Sequence, residues 1–336
     1  MKKETNDIKD IAIDIPLLLI VAALVVFGLL MLYSASWDVS WRAFKDVNRF
    51  FIRQLVWLAI GIISAAILCF LDYHRWDRNK FAVMAIGVTI LLLLIVLFVG
   101  KGSARSLLGG KSVQPSELAK FVIVIYLAVW LNSKGEKIKQ VGFGLIPLGA
   151  ILGIVGGLIA VQTDVSAAVT VFFLGFLLFF MAGGSLIQLL FLVVASGGLG
   201  TAIVAYRKPE VSQRILDFWY GIKDVNTIGS EQIEKSFTAF MDGGWFGVGL
   251  GRGVAKLVLL PVPHTDSIFA VVGEELGVFG ASCLVLLFGV FLWRGMVISR
   301  KAADGLGSLL AAGLTVWIVF EAFVNIAVII GLLPVA

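Results

Sequence analysis

Long apolar runs, broken by short polar stretches, dominate this chain. A membrane-spanning helix takes about 20 mostly apolar residues. Runs of that kind fall near 12–33, 52–71, 81–99, 115–132, 141–161, 165–181, 185–206, 267–293 and 308–331. The joining stretches are short, apart from one of about 60 residues between Arg207 and His264. The pattern predicts an all-α fold, a polytopic transmembrane bundle of about nine helices with one sizeable extramembrane loop. A charged segment, MKKETNDIKD, precedes the first run, and no small-residue cleavage site follows it. That run therefore reads as a retained helix, not a removed signal peptide.

Composition strengthens this picture. Hydrophobic residues make up 60% of the 336 and charged residues 15%, with a mean hydropathy of +1.01. A water-soluble domain is about a quarter charged. The two cysteines, Cys69 and Cys283, lie inside apolar runs and read as small hydrophobes. The two histidines, His74 and His264, are far apart, and no zinc-type spacing occurs.

Charge placement tests orientation through the positive-inside rule. With a cytoplasmic N-terminus, the inner segments hold Lys2, Lys3, Lys9, Arg75, Arg78, Lys80, Lys134, Lys137, Lys139, Arg294, Arg300 and Lys301. The short outer segments hold Arg42, Lys45, Arg49, Arg53, Lys101, Arg105, Lys111 and Lys120, a bias of 12 against 8. So basic an outer face has two readings: scatter or an inverted topology, or cations kept there for an anionic ligand.

Glycine has two uses. Gly149, Gly153 and Gly157 recur every four residues and predict a stripe for close helix packing. The segment Gly243-Gly244-Trp245-Phe246-Gly247-Val248-Gly249-Leu250-Gly251-Arg252-Gly253 lacks the Walker lysine-serine ending. It reads as a re-entrant turn, with backbone brought close to a phosphate, flanked by Arg252 and Lys256, as the alternative.

Ionisable groups at membrane depth are costly and are functional candidates. They are Glu117, Asp164, Asp266, Glu274, Glu275 and Glu321. Asp266, in LPVPHTDSIF, suits first a helix N-cap and, compatibly, a carboxylate placed to accept a proton. Glu274 and Glu275 lie eight and nine residues on, about 12 Å deeper along a regular helix, and predict interhelical bonding. Pro115 fits a first helical position, and Glu117 complements the helix dipole and can pair with Lys120. Asp164 reads as a cap, and Ser34 and Ser36 as the polar end of the first helix.

Several motifs now fall into one order: Tyr33-Ser34-Ala35-Ser36, Gln114-Pro115-Ser116-Glu117-Leu118-Ala119-Lys120, Gln162-Thr163-Asp164, then Gln232 and Ser236 before the glycine run. The most specific is His264-Thr265-Asp266-Ser267-Ile268-Phe269-Ala270-Val271-Val272-Gly273-Glu274-Glu275-Leu276-Gly277. Together they resemble the SEDS family (shape, elongation, division and sporulation), across nearly the whole chain as a single domain. The resemblance implies ten helices and polymerisation of lipid II at the outer face of the bacterial cytoplasmic membrane. It places the essential aspartate at Asp266. It implies a class B penicillin-binding protein as transpeptidase partner, membrane lipids as surroundings, and no nucleic acid. Departures include Leu260-Pro261-Val262 in place of Leu-Pro-Glu, Thr163 in place of proline, Ser166 in place of glycine and Ser106 in place of tryptophan. The sequence ends at Leu333-Pro334-Val335-Ala336, where the family continues into a tenth helix.

The implied reaction explains the inventory. A pyrophosphate leaves readily, so one prominent carboxylate suffices where hydrolytic glycosidases carry two. Charge on the leaving group calls for cations, and Arg53, Arg105, Lys111, Lys120, Arg252 and Lys256 are candidates. Glu117, Asp164, Gln232, Ser236, His264 and Thr265 complete the candidate substrate-binding set. Asp266 is expected to deprotonate the acceptor hydroxyl or to ligate a divalent cation, Mg or Mn, that does so. A flippase or other transporter of the lipid-linked precursor is the alternative, and it would keep critical polar groups such as Glu274 and Glu321 near the midplane. A scaffold that only recruits the transpeptidase is the third reading.

Overall fold

The computed structural model describes residues 13–78, 80–99, 114–162, 164–207, 231–258 and 265–333. Its elements in order are α1 (Ile15–Phe44), α2 (Arg49–Phe70), the single turn α3 (Arg75–Arg78), α4 (Phe81–Val99), α5 (Pro115–Lys134), α6 (Ile146–Val161), α7 (Val165–Met181) and α8 (Leu186–Arg207). Then come α9 (Glu231–Gly243), the single turn α10 (Ala255–Val258), α11 (Ile268–Lys301) and α12 (Gly305–Ile329). Among the described residues, seven helical stretches are long and apolar enough to cross a membrane. Two shorter apolar stretches, α7 and Leu186–Gly198 of α8, fill the other two predicted positions. The protein is a multi-pass helical bundle.

Caps fix several ends. Asp14 accepts from the Leu17 amide at 2.9 Å, Asp164 from Ala167 at 3.2 Å and Asp304 from Gly307 at 2.6 Å. Each pairing satisfies an amide that the helix itself leaves free. Helix α1 runs three turns past the predicted end at residue 33 and stops at Lys45, in the left-handed region. Its polar continuation is tolerated because Ser34, Ser36 and Ser40 face the interior.

Two apolar cores hold the bundle. One gathers α4, α5, α6, α7 and the first half of α12 around residues such as Leu127, Leu152, Leu174 and Phe179. The other joins α1, α9, α11 and the end of α12 through Met31, Ala239, Val271 and Ile329. Helix α2 buries no residue at all and presents its apolar side chains to the surroundings, as a lipid-facing helix does.

The glycine stripe on α6 holds only in part: a Cβ on Gly149 would stand 3.3 Å from the Leu192 side chain of α8. A side chain at Gly153 or Gly157 would meet nothing within 4 Å. Close approach is made instead by Gly156 against Phe172 and by Gly175 against Leu152, on the α6–α7 contact. Spacing alone does not say which face of a helix meets its neighbour.

Candidate functional site

Helix α11 is bent at Gly277, whose φ of 68° and ψ of −169° break the helical path. The break frees backbone groups on both sides, and the glycine run takes them up. The Val248 and Gly249 amides donate to the Glu274 and Glu275 carbonyls, each at 3.0 Å. In return the Val278 and Phe279 amides donate to the Gly244 and Trp245 carbonyls, at 3.0 and 3.2 Å. This exchange requires backbone against backbone. A Cβ on Gly243 would stand 2.1 Å from the Gly273 carbonyl oxygen, and one on Gly247 would stand 2.2 Å from that of Glu275. The run is therefore a splint for a kinked helix. The Glu274 and Glu275 carbonyls and carboxylates, not a phosphate, receive the amides of residues 248, 249, 251, 254 and 255.

The two glutamates complete the splint. The Glu274 carboxylate accepts from Val254 at 2.6 Å and Ala255 at 3.0 Å. The Glu275 carboxylate is fully buried and takes the Lys256 ammonium at 2.6 Å, the Ser34 hydroxyl at 2.7 Å and the Gly251 amide at 3.0 Å. Lys256 also donates to the Ser34 hydroxyl and the Gly251 carbonyl. A buried pair is sustained only when its remaining hydrogen-bonding capacity is met, and here it is. The Lys256 ammonium is thus enclosed rather than open to an anion. Ser34 is not the polar end of a helix but a buried link from α1 to α11.

A second cluster joins the first turns of α5 and α7. Asp164 caps α7 and also accepts from the Gln114 amide group at 2.7 Å and the Ser116 hydroxyl at 2.8 Å. One turn into α5, Lys120 pairs with Glu117 at 2.8 Å and with Glu321 of α12. The Lys120–Glu117 pair follows from sequence spacing. The Glu321 partner, 201 residues away, does not.

Asp266 stands at the start of α11 and behaves differently. The N-cap of α11 is Ser267, so the cap reading of Asp266 is corrected. Its carboxylate is exposed and makes no hydrogen bond or ion pair among the described residues. Beside it, Thr265 is exposed and Ser267 buried. Of the candidate cations, Arg53 is exposed at the start of α2 with its guanidinium 5.5 Å from the Phe50 ring centre. Arg252 is exposed in the glycine run. Ser236 is fully buried in α9. Arg105, Lys111 and His264 lie outside the described residues, and of Gln232 only the place in α9 is described. Asp266 and the two clusters occupy the end of the bundle at which α5, α7 and α11 begin.

The other end carries a separate ion network. His74 lies between Asp72, 2.7 Å from Nδ1, and Asp304, 2.6 Å from Nε2. The hydrogen bond to Asp72, with the neighbouring carboxylates, raises the His74 pKa above its ordinary value. Asp304 is held below the usual carboxylate range by the Gly307 amide first, then by Tyr73 and His74. Arg294 grips Asp14 with two bonds, at 2.9 and 2.7 Å.

Comparison with known proteins bears on this arrangement as a whole. The chain is 36% identical to a protein of Trichlorobacter lovleyi described as a probable peptidoglycan glycosyltransferase FtsW, over 96% of this chain and 85% of that one. A similarly described protein of a Geobacter species, strain M18, is also 36% identical, over 96% of this chain and 88% of its own length. Among solved structures, one of a peptidoglycan synthase complex, on the coordination of polymerization and crosslinking, superimposes with a TM-score of 0.76 at 28% identity. It covers 96% of this chain and 89% of that one. The Thermus thermophilus rod shape determining protein RodA gives 0.66 at 27% identity, with 94% and 85% covered. Residues 15–336 match the cell cycle protein family of FtsW, RodA and SpoVE, and with the fold and motifs in agreement the chain belongs to that family.

Proposed function

We propose that this protein is a peptidoglycan glycosyltransferase that polymerises lipid II at the outer face of a bacterial cytoplasmic membrane. The observation that carries the reading is the contrast between the entry to α11 and its interior. Of the three carboxylates between residues 266 and 275, only Asp266 is exposed and uncommitted among the described residues. It lies in the most specific stretch of the family resemblance. The relatives named as peptidoglycan glycosyltransferases support the activity.

In the reaction, Asp266 accepts the proton of the acceptor sugar hydroxyl. The freed oxygen attacks the anomeric carbon of the lipid-linked glycan. The bond to the pyrophosphate breaks, the centre inverts, and undecaprenyl pyrophosphate leaves. General-base assistance of this kind contributes about 10²- to 10⁴-fold. Arg53 and Arg252 are the described exposed cations suited to the leaving pyrophosphate. Lys120 and Asp164 act one step back, by fixing α5 against α12 and α7. Among the described residues no three His, Cys, Asp or Glu side chains converge to hold a metal. A single carboxylate nevertheless suits Mg or Mn bound largely by substrate phosphates. In the alternative in which Asp266 holds such an ion, the ion and not the carboxylate would promote loss of the hydroxyl proton, and it would also neutralise charge on the pyrophosphate.

A class B penicillin-binding protein is the proposed partner, supported by the likeness to a synthase complex. With the N-terminus cytoplasmic, Asp266 faces outward and the excess of outer cations meets an anionic substrate. The transporter reading has less support. Glu274, Glu275 and Glu321 are each tied to another element, which does not suit carboxylates that must bind and release ions. The test is glycan synthesis from lipid II by the purified chain with such a partner. Asp266→Ala is expected to lower it about 100-fold or more with an unchanged melting midpoint, and undiminished synthesis by the folded variant overturns the assignment.

A further inference from the structure

The end of the bundle opposite Asp266 holds a half-open cavity of about 650 Å³ between α1, α2, α5, α11 and α12. This lies within the range of about 300–1,000 Å³ usual for small-molecule sites. Nothing in glycosyl transfer uses it. Its walls are apolar, with Leu68, Ile125, Ile298, Leu310 and Leu314 among them. Its mouth is not. Lys301 stands there, with Tyr73 and Trp76 from the α2–α4 connection, and the Arg294–Asp14 pair lies on the wall, seven residues back along α11 from Lys301.

Three features together select the occupant. The first is depth. Leu314 lies nine residues into α12 from Gly305, and Ile125 nine residues from the end of α5 at Lys134. At 1.5 Å per residue the walls reach about 14 Å inward. Half of a hydrocarbon core of about 30 Å is about 15 Å, so the cavity spans one leaflet. The second is charge. Arg294 is neutralised by Asp14 through two bonds. Lys301 is exposed and makes no hydrogen bond or ion pair among the described residues. The mouth thus carries one cation that has no hydrogen-bonded or ion-paired partner among the described residues, within electrostatic reach of Asp14 and above an apolar shaft. The third is the aromatic pair at the mouth, since tyrosine and tryptophan favour the headgroup level of a bilayer. Basic pockets between transmembrane helices are suited to anionic lipid headgroups.

We propose that this cavity binds an anionic phospholipid of the adjacent leaflet, with its phosphate on Lys301 and an acyl chain along Leu68, Leu310 and Leu314. A lipid there fills the gap between α1–α2 and α5–α12 and steadies the end of the bundle farthest from Asp266. The chemistry could equally attract a polyprenyl phosphate, so the experiment includes one.

The test is lipid retention by the purified full chain, read by native mass spectrometry after exchange into micelles. The micelles contain phosphatidylglycerol, phosphatidylcholine or undecaprenyl phosphate. The expected result is phosphatidylglycerol retained about fivefold or more over phosphatidylcholine, the effect of one cation near a lipid headgroup. Lys301→Gln, at an exposed position, should abolish that preference while leaving phosphatidylcholine retention unchanged. Ala311→Phe, which fills the shaft, should remove retention of both phospholipids. Equal retention of the two phospholipids by the unaltered chain overturns the proposal and needs no variant to fold. Unchanged retention by Lys301→Gln also overturns it. Preferential retention of undecaprenyl phosphate overturns the choice of a phospholipid.

Discussion

Asp266, just before α11, and Glu275, within it, are carboxylates nine residues apart, and they live in opposite physical worlds. Glu275 is fully buried and surrounded by an ammonium, a hydroxyl and a backbone amide. Asp266 is exposed and bonded to nothing among the described residues. A carboxylate whose lone pairs are all engaged holds a fold together but has no capacity left for a substrate. One that is bare at the membrane surface adds nothing to the fold and is free to take a proton. The difference teaches that, around the start of α11, structural and chemical roles are divided by the kink machinery around Gly277. Everything that splints the kink is closed, and the residue just before the helix is open.

The contrast can be broken from the structural side first. Glu275→Ala leaves Lys256 buried without a counter-charge, and removal of one partner from such a pair costs about 3–5 kcal/mol. A large fall in the thermal midpoint in detergent is expected. The double variant Lys256→Met, Glu275→Leu should recover much of it, because a matched apolar pair carries no desolvation penalty. If Glu275→Ala melts like the unaltered protein, the splint is not what holds the kink. Gly277→Ala comes next. Its φ of 68° with ψ of −169° is a glycine-only conformation that costs a side chain about 1–3 kcal/mol, and its Cβ would stand 2.4 Å from the Gly247 nitrogen. Together these predict a loss of at least about 2 kcal/mol. Asp164→Ala removes a cap and the anchor of Gln114 and Ser116, and should cost about 1–2 kcal/mol.

The smallest effect is a pH dependence at the opposite end. His74 has a raised pKa and Asp304 a lowered one. The histidine's contribution is complete below its ordinary value of 6.5 and is lost as pH rises through the elevated one. The aspartate's contribution is present above its ordinary value of 3.8 and is lost as pH falls through the depressed one. The link between the α2–α4 connection and the α11–α12 turn is therefore strongest in mildly acidic solution and loosens with alkalinity. Amide protection factors at residues 72–78 and 304–307, which remove the intrinsic pH dependence of exchange, should fall as pH rises, and His74→Gln should flatten that fall.

How much of this was legible in the sequence follows from the kind of signal each feature leaves. Helix positions were legible because hydrocarbon demands continuous apolar runs. The three extra turns of α1 were not, since Ser34, Ser36 and Ser40 look like a polar end until Ser34 is seen to bond Glu275 and Lys256 and Ser40 to bond the Asp46 carbonyl. The Glu117–Lys120 pair was legible from local spacing, whereas Lys120–Glu321 depends on tertiary packing. The glycine run could be singled out by density, but its purpose could not. That needed the kink at Gly277, which is one of 37 glycines and carries no local mark. Asp266 was singled out by resemblance. Its lack of partners is a property of the folded chain.

The most direct test replaces charge without changing shape. Asp266→Asn keeps the volume of the side chain but cannot accept the proton at neutral pH. The measurement is the rate of glycan formation from lipid II by the purified chain with a class B penicillin-binding protein, beside the thermal midpoint of the same sample. The account predicts synthesis reduced about 100-fold or more at an unchanged midpoint. Synthesis at the unaltered rate would contradict it.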